Sequence, residues 1–223
     1  MSDHVDMYTS VHKGQRSRFF DISSQAGRVD YADQKSLDGL YDELDSFREH
    51  MRLHAALEER FIHPLLSSRV PGGARKLEED HRFIHQRFDD LVSTFGWIRA
   101  RSADFEKRQE LALEFYRTWN RFTSFYFMHI NKEEEQVQPL LWELCTNEEL
   151  AATFKTILAS QKPTELMGNL KMMLPAMNLY ERVDLLRKGQ ASMSPEAFQG
   201  ALRLAEQVLT SNDFAALKSK MGL

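Results

Sequence analysis

The 223-residue sequence contains only one cysteine, Cys145. An intramolecular disulfide is therefore impossible, and a thiolate zinc site or an iron–sulfur cluster is not expected. No stretch approaches the roughly 18 consecutive apolar residues of a membrane-spanning helix. The N-terminus, MSDHVDMYTS, has neither a basic start nor an apolar run, so no export signal is expected. A net charge of −4 without a basic block argues against nucleic acid as the main partner. These absences predict a cytoplasmic protein that binds neither membranes nor nucleic acids.

Proline is missing from long parts of the chain. None precedes Pro64, and none lies between Pro71 and Pro139. Stretches of this kind favour helices, because proline breaks a helix and β-turns require clusters of glycine, asparagine and aspartate. We therefore predict an all-α protein whose first part is an up-down-up-down four-helix bundle. The helices are predicted over Val5–Ala26, Asp33–Ser67, Ala74–Arg99 and Phe105–Leu144, with an N-cap near Ser102 for the last of them.

The sequence changes character after Cys145. Prolines and glycines divide residues 146–223 into short helices, and this part contains no histidine. Thr146 and Glu149 match a capping box, and Ser194 precedes a proline at a predicted first helical position. The sequence thus predicts a bundle over residues 1–145. It also predicts a helical extension over 146–223 that packs on the bundle or forms a homodimer contact.

The histidines follow a distinctive spacing. All eight lie before residue 130, and four of them are followed four residues later by histidine or glutamate. With eight histidines and 19 glutamates in the chain, chance predicts about one such pair. Side chains at i and i+4 project from the same face of a helix, so both members of a pair can reach one metal ion or two adjacent ions. The pairs are His50/His54, His54/Glu58, His81/His85 and His129/Glu133.

These pairs fall on three predicted helices, and a lone histidine, His12, falls on the first. Residues 58–68 descend about 15 Å to the VPGG turn and residues 74–83 climb back about 14 Å, so the pairs lie at similar heights. Imidazoles and carboxylates bind metals at roughly 2.0–2.2 Å, and helices packed 8–10 Å apart can share an ion. The sequence therefore predicts enough ligands in the bundle for two metal ions bridged by carboxylates.

The order of these motifs resembles the hemerythrin-like (HHE cation-binding) family. Its pattern is a lone histidine on helix one, His-x-x-x-Glu on helices two and four, and His-x-x-x-His on helix three. The local strings HKGQR, HAALEERFIHPLL and HINKEEEQVQPLL look like the hemerythrin domains of iron-regulating ubiquitin ligases. The resemblance is strong over residues 5–144 and weaker beyond. The zinc modules of those ligases are missing, so ligase activity is not implied.

The resemblance implies a ligand set for two non-haem iron ions joined by an oxo or hydroxo bridge. One iron would be held by His81, His85 and His129, and the other by His12 and His54, with Glu58 and Glu133 bridging. Glu134 is a competing bridge, because it has the spacing found in oxygen-carrying hemerythrins. The iron-regulating relatives often lack the counterpart of His85. His50 is a candidate outer-sphere residue, whereas His4 and His63 are interpreted as bystanders.

The resemblance also implies functions. The leading hypothesis is a di-iron protein that binds O₂ or senses oxygen or iron, rather than an enzyme. The alternatives are a di-iron redox enzyme acting on peroxide or nitric oxide, and a helical interaction module with zinc or no metal. A ferritin-like centre is disfavoured, since it needs two Glu-x-x-His motifs and only Glu78–His81 provides one.

Overall fold

The computed structural model describes residues 4–100 and 105–223. Within these residues every regular element is a helix, which confirms the predicted all-α fold. The predicted N-cap at Ser102 lies outside the described residues. None of the described helices is both long and apolar enough to span a bilayer. In chain order the helices are α1 (Thr9–Arg28), α2 (Gln34–Leu57, Glu58–Ile62 and His63–Ser67), α3 (Arg75–Ala100), α4 (Phe105–Lys132, Glu133–Val137 and Gln138–Leu144), α5 (Asn147–Ser160), α6 (Pro163–Ala176), α7 (Leu179–Ser192), α8 (Pro195–Val208) and α9 (Ser211–Met221).

Local sequence signals set the helix ends. Asp33 is the N-cap of α2, and its carboxylate accepts hydrogen bonds from the backbone N–H groups of Lys35 and Ser36. The break between α2 and α3 contains Gly72, whose φ of 75° is a conformation that favours glycine. The predicted capping box of α5 is present, because Thr146 and Glu149 bond each other's backbone N–H. Ser194 caps α8 as predicted.

Both long helices α2 and α4 are interrupted by one wide turn. Residues Glu58–Ile62 and Glu133–Val137 form π-turns, in which the backbone N–H bonds the carbonyl five residues earlier. Each π-turn is followed by a proline, Pro64 or Pro139. A proline clashes with the carbonyl four residues before it in a regular α-helix, and a wider turn relieves that clash. Such turns occur often at functional sites.

The chain divides into two compact units. The first contains residues 19–157 together with the N-terminal residues through Asp6, and the second contains residues 7–18 and 158–223. Helix α1 therefore contributes to both. The predicted boundary at residue 145 stays a prediction.

The core of the first unit is aromatic. Phe19 at the centre has ring-centroid distances of 4.9 Å to Phe47, 5.3 Å to Trp119 and 4.7 Å to Tyr126. Phe88 packs on Trp119 from α3 at 5.5 Å. These buried rings join α1, α2, α3 and α4, so they fix the spacing between the helices that carry the histidine pairs.

The second unit has its own apolar core, formed by helices α6 to α9. Helix α1 contributes to this unit through Gly14, where a Cβ atom would lie 3.0 Å from Met172. Lys13 forms an ion pair with Glu181 beside this contact. The core residues are Leu170, Leu174, Val183, Leu186, Phe198, Ala201, Ala205, Leu209 and Leu217.

Candidate metal centre

Two buried carboxylates lie at the centre of the candidate site. Glu58 and Glu133 are the first residues of the π-turns of α2 and α4, and their exposed fractions are 2% and 0%. Burying an ionised carboxylate is strongly unfavourable unless a cation or hydrogen-bond donors compensate it. The two acids therefore require a cation or hydrogen-bond donors between the helices.

The first group of candidate ligand atoms lies in the first unit. Glu58, His63, His81 and Glu133 each offer one oxygen or nitrogen atom, and these four atoms lie within 4.8 Å of one another. His81 Nε2 is 3.2 Å from Glu58 Oε2 and 3.7 Å from Glu133 Oε1. All four residues are buried, so the group can surround a cation away from solvent.

A second group shares the same two acids. His54, Glu58 and Glu133 also offer atoms within 4.8 Å of one another. His54 Nε2 is 3.0 Å from Glu58 Oε1, on the carboxylate oxygen that His81 does not contact. Glu58 thus has one oxygen toward each group, which is the arrangement of a carboxylate that bridges two ions.

The distances test whether a metal fits these atoms. Two ligand atoms bound about 2.1 Å from one ion lie roughly 3.0–3.4 Å apart at tetrahedral or octahedral angles. The contacts from Glu58 to His54 and His81 fall in this range, at 3.0 and 3.2 Å. Among the described residues, however, neither Glu58 oxygen nor His81 Nε2 has a partner in hydrogen-bond geometry. These atoms converge without hydrogen bonds among the described residues, as expected of metal ligands, so the residues fit a metal that displaces a proton.

The acidic and basic groups alter each other's protonation. Burial alone would lower the pKa of His81, but Glu133 and Glu58 raise it to about 11. Burial and the nearby Glu58 act to raise the pKa of Glu133, but contact with His129 and His81 lowers it to about 2. Burial also acts to raise the pKa of Glu58. The contacts with His54 and His81 outweigh this effect and hold the pKa of Glu58 well below its usual value. In the metal-free chain a proton on His81 therefore balances the two acids, and a metal ion must displace it.

Outer carboxylates lie beside the rings of two histidines, and one of them is within hydrogen-bond distance. Glu59 Oε1 lies 3.0 Å from His81 Nδ1, so the other ring nitrogen is directed toward Glu58 and Glu133. Asp80 Oδ2 lies 3.6 Å from His129 Nδ1 and accepts a 2.6 Å hydrogen bond from Lys132. Carboxylates in this position fix the orientation of metal-binding imidazoles and raise their basicity.

The structure brings a further predicted ligand to this cluster. His129 is buried, with Nε2 3.1 Å from Glu133 Oε1 and its ring centroid 4.9 Å from that of His81. His85 is half-buried, 6.4 Å from the His81 ring. The two groups of converging atoms found among the described residues contain none of His129, His85 and Glu134.

Two other predicted histidines are placed as follows. His12 lies in the second unit, is fully buried, and has its ring 5.4 Å from that of Tyr8. Its role as a ligand stays a prediction. His50 stacks near Phe47 at 6.4 Å, and burial together with His54 lowers the pKa of His50 to about 4. His50 is therefore neutral at physiological pH.

Sequence reasoning interpreted His63 as a bystander, whereas the structure places it in one of the two groups of candidate ligand atoms. On a regular helix residue 63 lies about 140° around the axis from Glu58, at 3.6 residues per turn. A signal was nevertheless present, because HAALEERFIHPLL and HINKEEEQVQPLL share the His, both Glu and the Pro-Leu-Leu at identical spacing. Reading the two strings as copies of one motif would have marked the residue before each proline.

A helical bundle with a buried histidine and glutamate cluster defines an all-α protein with a site compatible with metal binding. The sequence-family model of the Hemerythrin HHE cation binding domain matches residues 3–142 of this chain. The chain belongs to this family, which confirms the resemblance seen in the motifs.

One curated relative is F-box/LRR-repeat protein 5 of Mus musculus, which is 23% identical over 174 residues. The match covers 76% of this chain and 24% of the mouse protein, so the chain spans about a quarter of that protein's length. No solved structure matches the chain significantly.

Proposed function

We propose that the chain is a non-haem di-iron protein that binds O₂ or senses oxygen or iron. The observation that carries this proposal is the sharing of Glu58 and Glu133 by two groups of candidate ligand atoms. Both carboxylates belong to both groups, and each group adds histidines of its own. This arrangement suits two neighbouring metal ions better than a single ion. Family membership adds that this bundle type binds cations.

The predicted ligands form two sets, one for each metal position. His54, with His12 as the ligand predicted from the sequence, would hold one ion, and His81 and His129 would hold the other. Glu58 and Glu133 would neutralise charge at both. Imidazole and carboxylate ligands suit divalent iron, manganese and zinc. When bound, a pair of iron ions supplies redox chemistry toward O₂ and related small molecules.

The surrounding chain controls access to the site. Ile62 and Val137 close the π-turns and are buried, and Tyr126 lies 6.0 Å from the His129 ring. This apolar shell limits the entry of water and of outside reductants, which favours binding over turnover. Glu59 holds the His81 imidazole in place while the charge at the centre changes, and Asp80 places a negative charge 3.6 Å from His129 Nδ1.

The test begins with the metal-free full chain. Iron(II) is added without oxygen, excess iron is removed by gel filtration, and iron per chain is measured. The sample is then exposed to O₂, and its absorption spectrum and its turnover of hydrogen peroxide are recorded. We expect two iron ions per chain, an absorption change that reverses when O₂ is removed, and peroxide turnover no faster than with free iron.

Three results would contradict the proposal. Peroxide turnover well above that of free iron would favour a redox enzyme. A chain isolated without an affinity tag that holds only zinc, or no metal, would favour an interaction module. Fewer than two iron ions at saturation would exclude the shared role of Glu58 and Glu133.

A further inference from the structure

His63 is a buried imidazole without a hydrogen bond. Its exposed fraction is 1%, and among the described residues neither of its ring nitrogens has a hydrogen-bond partner. A carboxylate oxygen of Glu78 lies 3.9 Å from His63 Nδ1, which is too long for a hydrogen bond. A buried polar group without a hydrogen bond destabilises the folded state, and a bound metal ion would supply the missing partner.

The π-turn directs His63 to the candidate metal centre. The backbone N–H of His63 bonds the carbonyl oxygen of Glu58, five residues earlier. This bond places residue 63 above Glu58 on the same side of α2, where a regular α-turn would have rotated it away. The fold therefore uses one extra residue in the turn to bring a second side chain of α2 to the acids.

The ring of His63 lies against that of His81. Their centroids are 5.2 Å apart with an interplanar angle of 20°. A ring nitrogen of His63 belongs to the group that also contains Glu58, His81 and Glu133, within 4.8 Å. Two stacked imidazoles facing the same pair of acids are placed to bind one cation together.

The matching position in the second copy of the motif holds a different residue. Gln138 follows the π-turn of α4, and its N–H bonds the carbonyl of Glu133. Like His63, Gln138 is buried, at 3% exposure. Its side-chain amide donates instead to the backbone oxygen of Val5, at 3.4 Å. The two copies thus place a buried side chain at the same point, and only the copy in α2 carries an imidazole.

We infer that His63, rather than His85, supplies the third imidazole of the metal position held by His81 and His129. The inference rests on the proposed function in requiring a metal at Glu58 and Glu133. His85 also has a buried nitrogen without a hydrogen bond, but its side chain is half-exposed, whereas His63 is buried and belongs to the group that contains Glu58, His81 and Glu133. His129 lies outside both groups as His85 does, but it is buried and its Nε2 lies 3.1 Å from Glu133 Oε1. The metal position can therefore be completed without His85.

The experiment compares three variants with the full-length wild-type chain: His63→Ala, His63→Gln and His85→Ala. His63→Gln copies the residue that the second motif already holds, so it keeps the size and polarity of the site while removing the imidazole. Each metal-free protein is first checked by circular dichroism and thermal unfolding. Each is then loaded with iron(II) without oxygen, passed through gel filtration and analysed for metal per chain.

We expect wild type and His85→Ala to retain two iron ions per chain, and both His63 variants to retain about one. His63→Gln should match the metal-free wild type in melting temperature, which shows that the loss of metal is not a loss of fold. Two iron ions in His63→Gln, or about one in His85→Ala, would overturn the inference and leave the proposed function intact. A wild-type chain that binds no metal would overturn both.

Discussion

Replacing Glu133 with alanine is expected to remove metal from both positions of the centre. Glu133 is fully buried and belongs to both groups of candidate ligand atoms. Its loss removes a shared ligand and half of the negative charge that compensates the cations. We expect metal content to fall from two ions per chain to nearly none. The affinity should fall by more than the roughly 10–100-fold that follows loss of a residue that only orients a ligand. Metal analysis after gel filtration measures this directly.

The neighbouring residue provides a matched control. Glu134 is only half-buried and does not belong to either group of converging atoms within the described part of the chain. Glu134→Ala changes the same charge one residue later on α4, so it should keep both ions. Retention of metal by Glu133→Ala together with its loss in Glu134→Ala would show that the bridge has the spacing of the oxygen carriers instead.

Removing the metal is expected to destabilise the folded chain strongly. Without cations, Glu58 and Glu133 remain buried beside each other, compensated by the proton on His81. A ligand present at a thousand times its dissociation constant stabilises the native state by about 4 kcal/mol, which corresponds to roughly 8–16 °C in melting temperature for a chain of this size. We therefore expect a fall of that order when iron is removed by a chelator.

Thermal unfolding in the presence and absence of EDTA measures this effect. The Glu133→Ala variant serves as the control, because its melting temperature should not respond to chelator or to added iron. An equal melting temperature for loaded and stripped wild-type protein would mean that the folded state does not bind metal preferentially.

Helix positions could be predicted from the sequence because their signals are local. The predicted range Asp33–Ser67 differs from α2 only in that Asp33 is the cap, and Phe105–Leu144 coincides with α4. The start of α1 was predicted at Val5 but lies at Thr9. Val5 is held instead by tertiary hydrogen bonds: its N–H donates to Asn147, and its carbonyl accepts from Trp142. Apolar periodicity does not report contacts of this kind.

The site could be predicted in part for the same reason. The pairs His54/Glu58 and His129/Glu133 each span one regular turn, and the structure brings them together. The sequence analysis interpreted His63 as a bystander because the 3.6-residue period, which does not hold across a π-turn, places it away from Glu58. Its place depends on a backbone change that the proline at residue 64 favours, and helix periodicity does not include that change. His85 shares a helix face with His81 and is half-exposed, and its role as a ligand stays a prediction.

The central claim is that Glu58 and Glu133 bridge two metal ions inside the bundle. A crystal structure of the iron-loaded chain, with anomalous diffraction recorded on both sides of the iron absorption edge, tests it most directly. The account predicts two anomalous peaks about 3.5–4 Å apart, with both carboxylates reaching both peaks. A single peak, or iron bound elsewhere while Glu58 and Glu133 stay paired with protonated imidazoles, would contradict it.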